Sequence, residues 1–204
     1  LLPVLKEAKK RGTRIVLIDP VRHRTATLAD AYVAPRPGGD LALALGVAGL
    51  LFETGRVAPR AEATCDGFDA FRTLALSKAP AEWAAAADVA PDVLELLASA
   101  LCERPCAIQV GWGMGRRTNG SAIVRALDAL GALTGNLGIP GGGVSFYFKR
   151  RGAFDTSFLA RRPARTLSEP LLGREILEAK EPPVRAVWVT AGNPVAMLPD
   201  SATV

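Results

Sequence analysis

The sequence predicts an α/β fold, a parallel sheet flanked by helices, on three observations. Two short apolar runs, Arg14 to Ile18 and Cys106 to Val110, read as strands buried on their faces instead of alternating apolar with polar. Helical patterns surround them, among them residues 2–10, 41–53 and 123–133. Each run also ends where open α/β sheets place ligands: Asp19-Pro20 follows the first, and a turn carrying Gly111, Gly113 and Gly115 follows the second.

Leu2 to Lys10 is amphipathic and is stopped by Gly12. Arg14 to Ile18 is the first strand, ended by Asp19-Pro20. Leu41 to Glu53 is apolar nearly all round, with small residues at Ala42, Ala44, Gly46, Ala48 and Gly49, so it is expected in the core or against a sheet. Residues 56–100 read as three chemically quiet helices, 68–76, 81–87 and 92–101. Pro80 and Pro91 stand at helix starts, where a missing N–H costs least, and Trp83 is expected to serve packing. After the second strand, Ile123, Leu127, Leu130 and Leu133 define one helix face, with Asn119 or Ser121 as its cap and Thr134-Gly135-Asn136 as its end. A strand is expected over 144–148, and an arginine-rich crossover from 149 to 182 that closes with a short helix over 173–180. A last strand over 184–189 leads into a Gly192-Asn193-Pro194 turn.

The organising stretch is Cys106 to Val144. A strand, a glycine turn and a helix together let backbone approach an anion while unpaired N–H groups face it. Two familiar phosphate motifs fail here. A dinucleotide fingerprint needs glycine where Arg116 or Thr118 stands, and a P-loop from Gly115 reaches Gly120 but continues Ser121-Ala122 instead of Lys-Ser/Thr. Arg116 and Arg117 at the end of the turn suit charge-assisted bonds to phosphate, or else are two solvated arginines.

Composition narrows the classes further. Net charge +5 with 49% apolar residues in 204 fits a soluble domain with an anionic ligand, and two Tyr with no basic low-complexity arm speak against nucleic acid. No apolar run is long enough for a membrane span. Cys65, Cys102 and Cys106 are too few and too irregular for a disulfide framework. With His23 as the only histidine they are expected to be buried thiols, not metal ligands. Residue 1 is already within a helical pattern, so the chain is expected to be an internal piece of a longer protein whose compartment, cytoplasmic or periplasmic, depends on a signal outside it.

Taken together, G-W-G-M-G-R-R-T-N-G followed by L-T-G-N-L-G-I-P-G-G-G resembles the pterin-binding core of the molybdopterin-guanine-dinucleotide oxidoreductases, the dimethyl sulfoxide reductase and formate dehydrogenase family. Asp19-Pro20, Arg22, Arg24-Thr25-Ala26, Ala29-Asp30 and Pro37 to Asp40 look like a second family segment, and Gly192-Asn193-Pro194 a third. Val21 stands where the family commonly has arginine, and His23 where it commonly has threonine. The resemblance implies a Rossmann-like three-layer unit with a parallel sheet, one fragment of a multidomain enzyme. Residues 1–148 would be the cofactor-binding domain, 149–182 a crossover linker with a short helix, and 183–204 the opening of a second α/β unit.

The resemblance further implies cofactor contacts from Asp19, Pro20, Arg22, Asp40, Gly111, Gly113, Met114, Arg116, Arg117, Asn119, Gly192, Asn193 and Pro194, with Asp40 on the guanine edge. By chemistry alone Asp40 is equally a helix N-cap. The cofactor would be molybdopterin guanine dinucleotide with molybdenum or tungsten, and the metal ligand and an iron-sulfur cluster would lie upstream of this piece. An arginine in a comparable position approaches the metal in the formate dehydrogenase branch, which makes Arg150 or Arg151 a candidate; read from its composition, the stretch is a solvated basic loop. Partners would be the remaining domains and an electron-transfer subunit, with no nucleic acid and no membrane insertion, and the isolated polypeptide is expected to have no turnover. Two other classes fit a strand-glycine-helix unit: the central domain of thiamine-diphosphate enzymes and a nicotinamide-dependent dehydrogenase domain.

Overall fold

A computed structural model describes residues 2–146, 165–190, 192–198 and 200–204. The chain divides into two compact units, Leu1–Gln109 with Ala122–Ser145, and Val110–Ser121 with Phe146–Val204.

In the first unit, α1 (Leu2–Lys10) carries Lys9 and Lys10 in its last turn, where the helix dipole favours cations, and Gly12 turns the chain at φ 86°. Lys9 bridges to Asp30 at 2.8 Å, and that ammonium, with the Ile15 N–H, holds the Asp30 carboxyl below its ordinary range. β1 (Val16–Ile18) pairs in parallel with β2 (Ala31–Val33), Val16 opposite Ala31. The α/β class with parallel strands and flanking helices holds, but the first strand is shorter than residues 14–18. It is also half-buried, with Ile18 45% exposed, because its described ladder has a partner on one side only. β2, the run Ala31-Tyr32-Val33, is not singled out as a strand in the sequence.

α2 (Asp40–Glu53) is the centre of the core. Leu43 through Gly49 and Leu51 are buried, and the helix packs on α5 (Pro80–Ala87), α6 (Asp92–Cys102) and α4 (Phe68–Ala75). Its small residues set the approach distance: a Cβ at Gly46 would lie 2.9 Å from Trp83 Cβ, and one at Gly49 would lie 3.0 Å from the Ala75 carbonyl oxygen. A helix that is apolar all round therefore finds helices here, not a sheet, as its neighbours. Trp83 is 8% exposed and its indole N–H donates to that same Ala75 carbonyl at 2.9 Å, so packing is its role. Pro80 opens α5, and the Glu82 carboxylate accepts the Ala79 N–H in the same turn. A short α3 (Arg60–Thr64) precedes them. Arg56 grips Glu95 at 2.7 Å and 2.8 Å, tying the loop after α2 to α6.

β3 (Ala107–Gln109) pairs in parallel with β4 (Gly143–Ser145), and α7 (Gly120–Leu133) connects them, its first two residues falling in the second unit. The strand expected over 106–110 is three residues long with Ala107 and Gln109 exposed, again because it is paired on one side. Of the expected α7 face, Ile123, Leu130 and Leu133 are buried and Leu127 is half-buried against the core, with Ala126 buried beside them. The helix ends at Gly135, φ 70°, with the Asn136 N–H returning to the Gly131 carbonyl at 2.8 Å.

Asn136, 1% exposed, locks three pieces of this unit together. Its Oδ1 accepts the Cys106 N–H, and its Nδ2 donates to the Leu101 carbonyl and to Thr134 Oγ1, each at 2.8 Å. A Cβ at Gly142 would collide with the Asn136 carbonyl oxygen, and one at Gly141 would sit 3.3 Å from Pro105. The most specific part of the sequence pattern, L-T-G-N followed by P-G-G-G, thus has a packing explanation in its own unit.

The second unit contains a 3-10 turn at Trp112–Arg116, α8 (Leu172–Glu178) and α9 (Pro194–Met197). Gly173 is buried where a Cβ would lie 2.7 Å from Thr203 backbone. The strand expected over 184–189 is not formed: residues 184–190 carry no strand assignment, and Val187, Trp188 and Val189 are 57%, 90% and 52% exposed. Strands need hydrogen-bonded neighbours, and none of the described residues supplies one there. Residues 147 and 148 of another expected strand, and residues 149–164 of the expected crossover, Arg150 and Arg151 among them, lie outside the described residues.

Candidate functional site

Three of the candidates in the first unit, Asp19, Pro20 and Arg22, follow the end of β1. Asp19 follows β1, its N–H donating to the Val33 carbonyl at 3.0 Å, and its Oδ1 accepts the Val21 N–H at 2.8 Å. Pro20 and Arg22 are exposed, and the Arg22 guanidinium stands 5.3 Å from the Tyr32 ring centre. Tyr32 in turn donates its hydroxyl to the Asp19 carbonyl at 2.8 Å. His23 Nε2 stands 3.4 Å from Asp19 Oδ2, so two residues that sequence reasoning gave no role, His23 and Tyr32, belong to this corner. The signal for the first was its place four residues after Asp19.

Asp40 is the first residue of α2, and Gly39 is the cap. The reading of Asp40 as N-cap is corrected accordingly. Gly39 is there because a Cβ would press to 3.0 Å on Ala87 backbone, which moves the helix start one residue earlier. In the first turn the Asp40 carboxylate suits the positive end of the helix dipole, and its Oδ2 is shielded from solvent.

In the second unit, Gly111 is extended at φ −71°, ψ 146° and its carbonyl accepts the Met114 N–H at 3.1 Å, opening the 3-10 turn that Arg116 ends. Arg117, half-buried, follows, and its carbonyl accepts the Gly120 N–H at 3.0 Å at the start of α7. Met114 and Asn119 are half-buried. The glycines differ in what requires them. Gly120 is needed by the chain itself, since a Cβ would collide with the Met114 carbonyl oxygen, and Gly115 faces Phe146 at 3.1 Å. Gly111 and Gly113 have no heavy atom within 4 Å of a would-be Cβ, and neither has the left-handed φ that explains the other open glycines. Among the described residues nothing calls for glycine at these two positions.

Also in the second unit, Gly192 and Asn193 are exposed and Pro194 is the first residue of α9. Asn193 Oδ1 accepts the Ala196 N–H at 3.4 Å, so the Gly-Asn-Pro turn is a helix cap as well as a candidate contact.

Cys65, Cys102 and Cys106 are free thiols, and burial first, then the Glu103 charge, pushes the Cys106 thiol above its ordinary range. Among the described residues no helix is long and apolar enough to cross a membrane, and no group of three His, Cys, Asp or Glu is placed to hold a metal ion.

Comparison with known proteins follows the same lines. The family model described as molybdopterin oxidoreductase matches residues 2–204. A probable oxidoreductase of Bacillus subtilis, YyaE, is 34% identical over 203 residues, covering 97% of this chain and 30% of its own length. The dimethyl sulfoxide/trimethylamine N-oxide reductase of Rhodobacter capsulatus is 30% identical over 165 residues, covering 76% of this chain and 20% of its own length. Acetylene hydratase from Pelobacter acetylenicus shares the fold, with a TM-score of 0.63 at 23% identity over 70% of this chain and 20% of that one. The chain therefore spans 30% or less of the length of each of these relatives. With the family model matched from residue 2 to residue 204, this chain belongs to the molybdopterin oxidoreductase family.

Proposed function

We propose that this chain is the cofactor-cradling segment of a molybdenum- or tungsten-dependent oxidoreductase that uses molybdopterin guanine dinucleotide. The observation that carries the proposal is the pair Gly111 and Gly113, whose missing side chains leave open space that no described part of the chain fills. A pyrophosphate-linked ligand can approach backbone closely there, with Arg116 and Arg117 supplying charge-assisted bonds to phosphate. Asp40 accepts from the N1–H and 2-amino donors of guanine. Asp19, Pro20, Arg22, Met114, Asn119 and the Gly192-Asn193-Pro194 turn complete the contacts.

The metal-bearing cofactor supplies the redox chemistry, and these residues bind and orient it. The metal ligand and an iron-sulfur cluster belong to the rest of the parent polypeptide, as does an interface for an electron-transfer subunit. Residues 1–148 then act as the cofactor-binding domain, 149–182 as the crossover, and 183–204 as the start of a second α/β unit completed elsewhere in the parent. Gly113→Val in the full-length protein tests the proposal. Pterin released as its fluorescent oxidised form, and metal per chain, are expected to fall by roughly tenfold or more while the melting temperature of the apoprotein stays within about 2 °C, the effect of a small surface change. Full pterin and metal content in the variant refutes it.

A further inference from the structure

We infer that Tyr32 is a positioning residue for Arg22, its ring holding the guanidinium in place with its charge unneutralised and its N–H donors available to an anionic oxygen of the cofactor; the inference rests on the reading of Arg22 as a cofactor contact. The loop that carries Arg22 is held at its start. Where the chain leaves β1 it is tied to β2 on both sides of one residue, the Asp19 N–H donating to the Val33 carbonyl at 3.0 Å and the Asp19 carbonyl accepting the Tyr32 hydroxyl at 2.8 Å. The Asp19 carboxylate then accepts the Val21 N–H at 2.8 Å, which turns the loop tightly just before Arg22.

Tyr32 is the middle residue of β2, opposite Leu17 in register, so the ladder fixes its backbone while the hydroxyl bond fixes the far end of its ring. A half-buried ring anchored at both ends is a rigid platform. The Arg22 guanidinium carbon stands over it, 5.3 Å from the ring centre, within the distance at which an aromatic face attracts a cation.

The choice of an aromatic partner matters for what Arg22 can do next. A guanidinium is planar, with five N–H donors in a fixed fork. A carboxylate beside it would occupy two of them and cancel the charge, whereas a ring attracts the cation and cancels none of it. Among the described residues Arg22 pairs with no carboxylate and donates no side-chain hydrogen bond, and it is exposed. An arginine free in solvent must give up its rotamer freedom on binding a ligand, and one already seated on a ring has given up part of it beforehand. Tyr32 thus adds to cofactor affinity by preorganisation, through Arg22.

The test separates the ring from its hydroxyl and asks whether the ring acts through the cation. In the full-length protein purified with its cofactor, pterin retained after gel filtration is followed through an incubation for Tyr32→Phe, Tyr32→Leu, Arg22→Ala and the double variant combining Tyr32→Leu with Arg22→Ala. Arg22→Ala is expected to lose cofactor at least tenfold faster than wild type, the worth of a hydrogen bond from a charged donor. Tyr32→Leu is expected to lose it about fourfold faster, the worth of an exposed cation–aromatic contact, and Tyr32→Phe, which keeps the ring, to stay within about 1.5-fold of wild type. The double variant is expected to match Arg22→Ala, because without the cation the ring has nothing to hold. Tyr32→Ile, whose branched side chain suits a strand, gives the same comparison where Leu does not fold. Equal loss in the Phe and Leu variants, wild-type retention in Tyr32→Leu beside fast loss in Arg22→Ala, or a further fourfold from Tyr32→Leu in the Arg22→Ala background overturns the positioning role alone. Wild-type retention in Arg22→Ala overturns the reading of Arg22 beneath it.

Discussion

Asn136→Ala offers the sharpest test of what the L-T-G-N segment does. The side chain is 1% exposed and makes three hydrogen bonds at 2.8 Å, joining the start of β3, the end of α6 and the end of α7. Truncation strands the Cys106 N–H and the Leu101 carbonyl, and each such group costs about 1–3 kcal/mol when left unsatisfied. Thr134 is spared most of that, because its hydroxyl still donates to the Leu130 carbonyl at 2.7 Å. Adding the small void left by the amide, the loss is about 3–5 kcal/mol, a large part of the ~5–15 kcal/mol that holds a domain together. Urea denaturation followed by far-UV circular dichroism reads it directly. Asn136→Leu restores volume without the bonds and is expected to remain destabilised by most of the same amount. A loss under about 1 kcal/mol in Asn136→Ala refutes the argument that this residue is a structural lock.

Three further outcomes follow from local geometry. Gly120→Ala brings a Cβ into the Met114 carbonyl oxygen and is expected to cost about 2 kcal/mol or more, whereas Gly113→Ala, with open space around it, changes stability by less than about 1 kcal/mol; thermal melts of the two variants make the comparison. The Glu95 carboxyl is held at about 2, first by its bond to Arg56 and then by Ser99, against an ordinary value of 4.5. A depressed carboxyl stabilises the fold above its unfolded value and loses that contribution as pH falls through its folded one. Glu95→Gln should therefore flatten the stability profile between about pH 4.5 and 2, as read by denaturation across that window, and an unchanged slope counts against the pair. Asp40→Ala in the full-length protein is expected to lower pterin and metal content while the fold persists, because the first turn of α2 keeps its glycine cap and buried apolar face.

The helices were largely legible because their signals are local. The apolar face of α7, the prolines at 80 and 91 and the small residues of α2 each fix an element within one or two turns of chain. Strands were harder. β2 is three residues of Ala-Tyr-Val whose register depends on β1, 15 residues away, and residues 184–189 look like a strand but have no described neighbour to pair with. At the candidate site the residue types in the glycine turn were readable, but their reasons were not. Gly120 and Gly142 answer to backbone crowding, and Gly111 and Gly113 to open space, a distinction that exists only in three dimensions. His23 read as a departure from the family pattern, and its acceptance of the Thr25 N–H, with the other ring nitrogen 3.4 Å from Asp19 Oδ2, emerges only from the placement of both ring nitrogens.

The most direct measurement is a crystal or electron-microscopy structure of the full-length protein with its cofactor bound, read at the Cα atoms of Gly111 and Gly113. The account expects a cofactor atom within van der Waals reach of both, about 4 Å. Finding that space filled by solvent or by another stretch of the polypeptide, with the cofactor bound elsewhere, contradicts it.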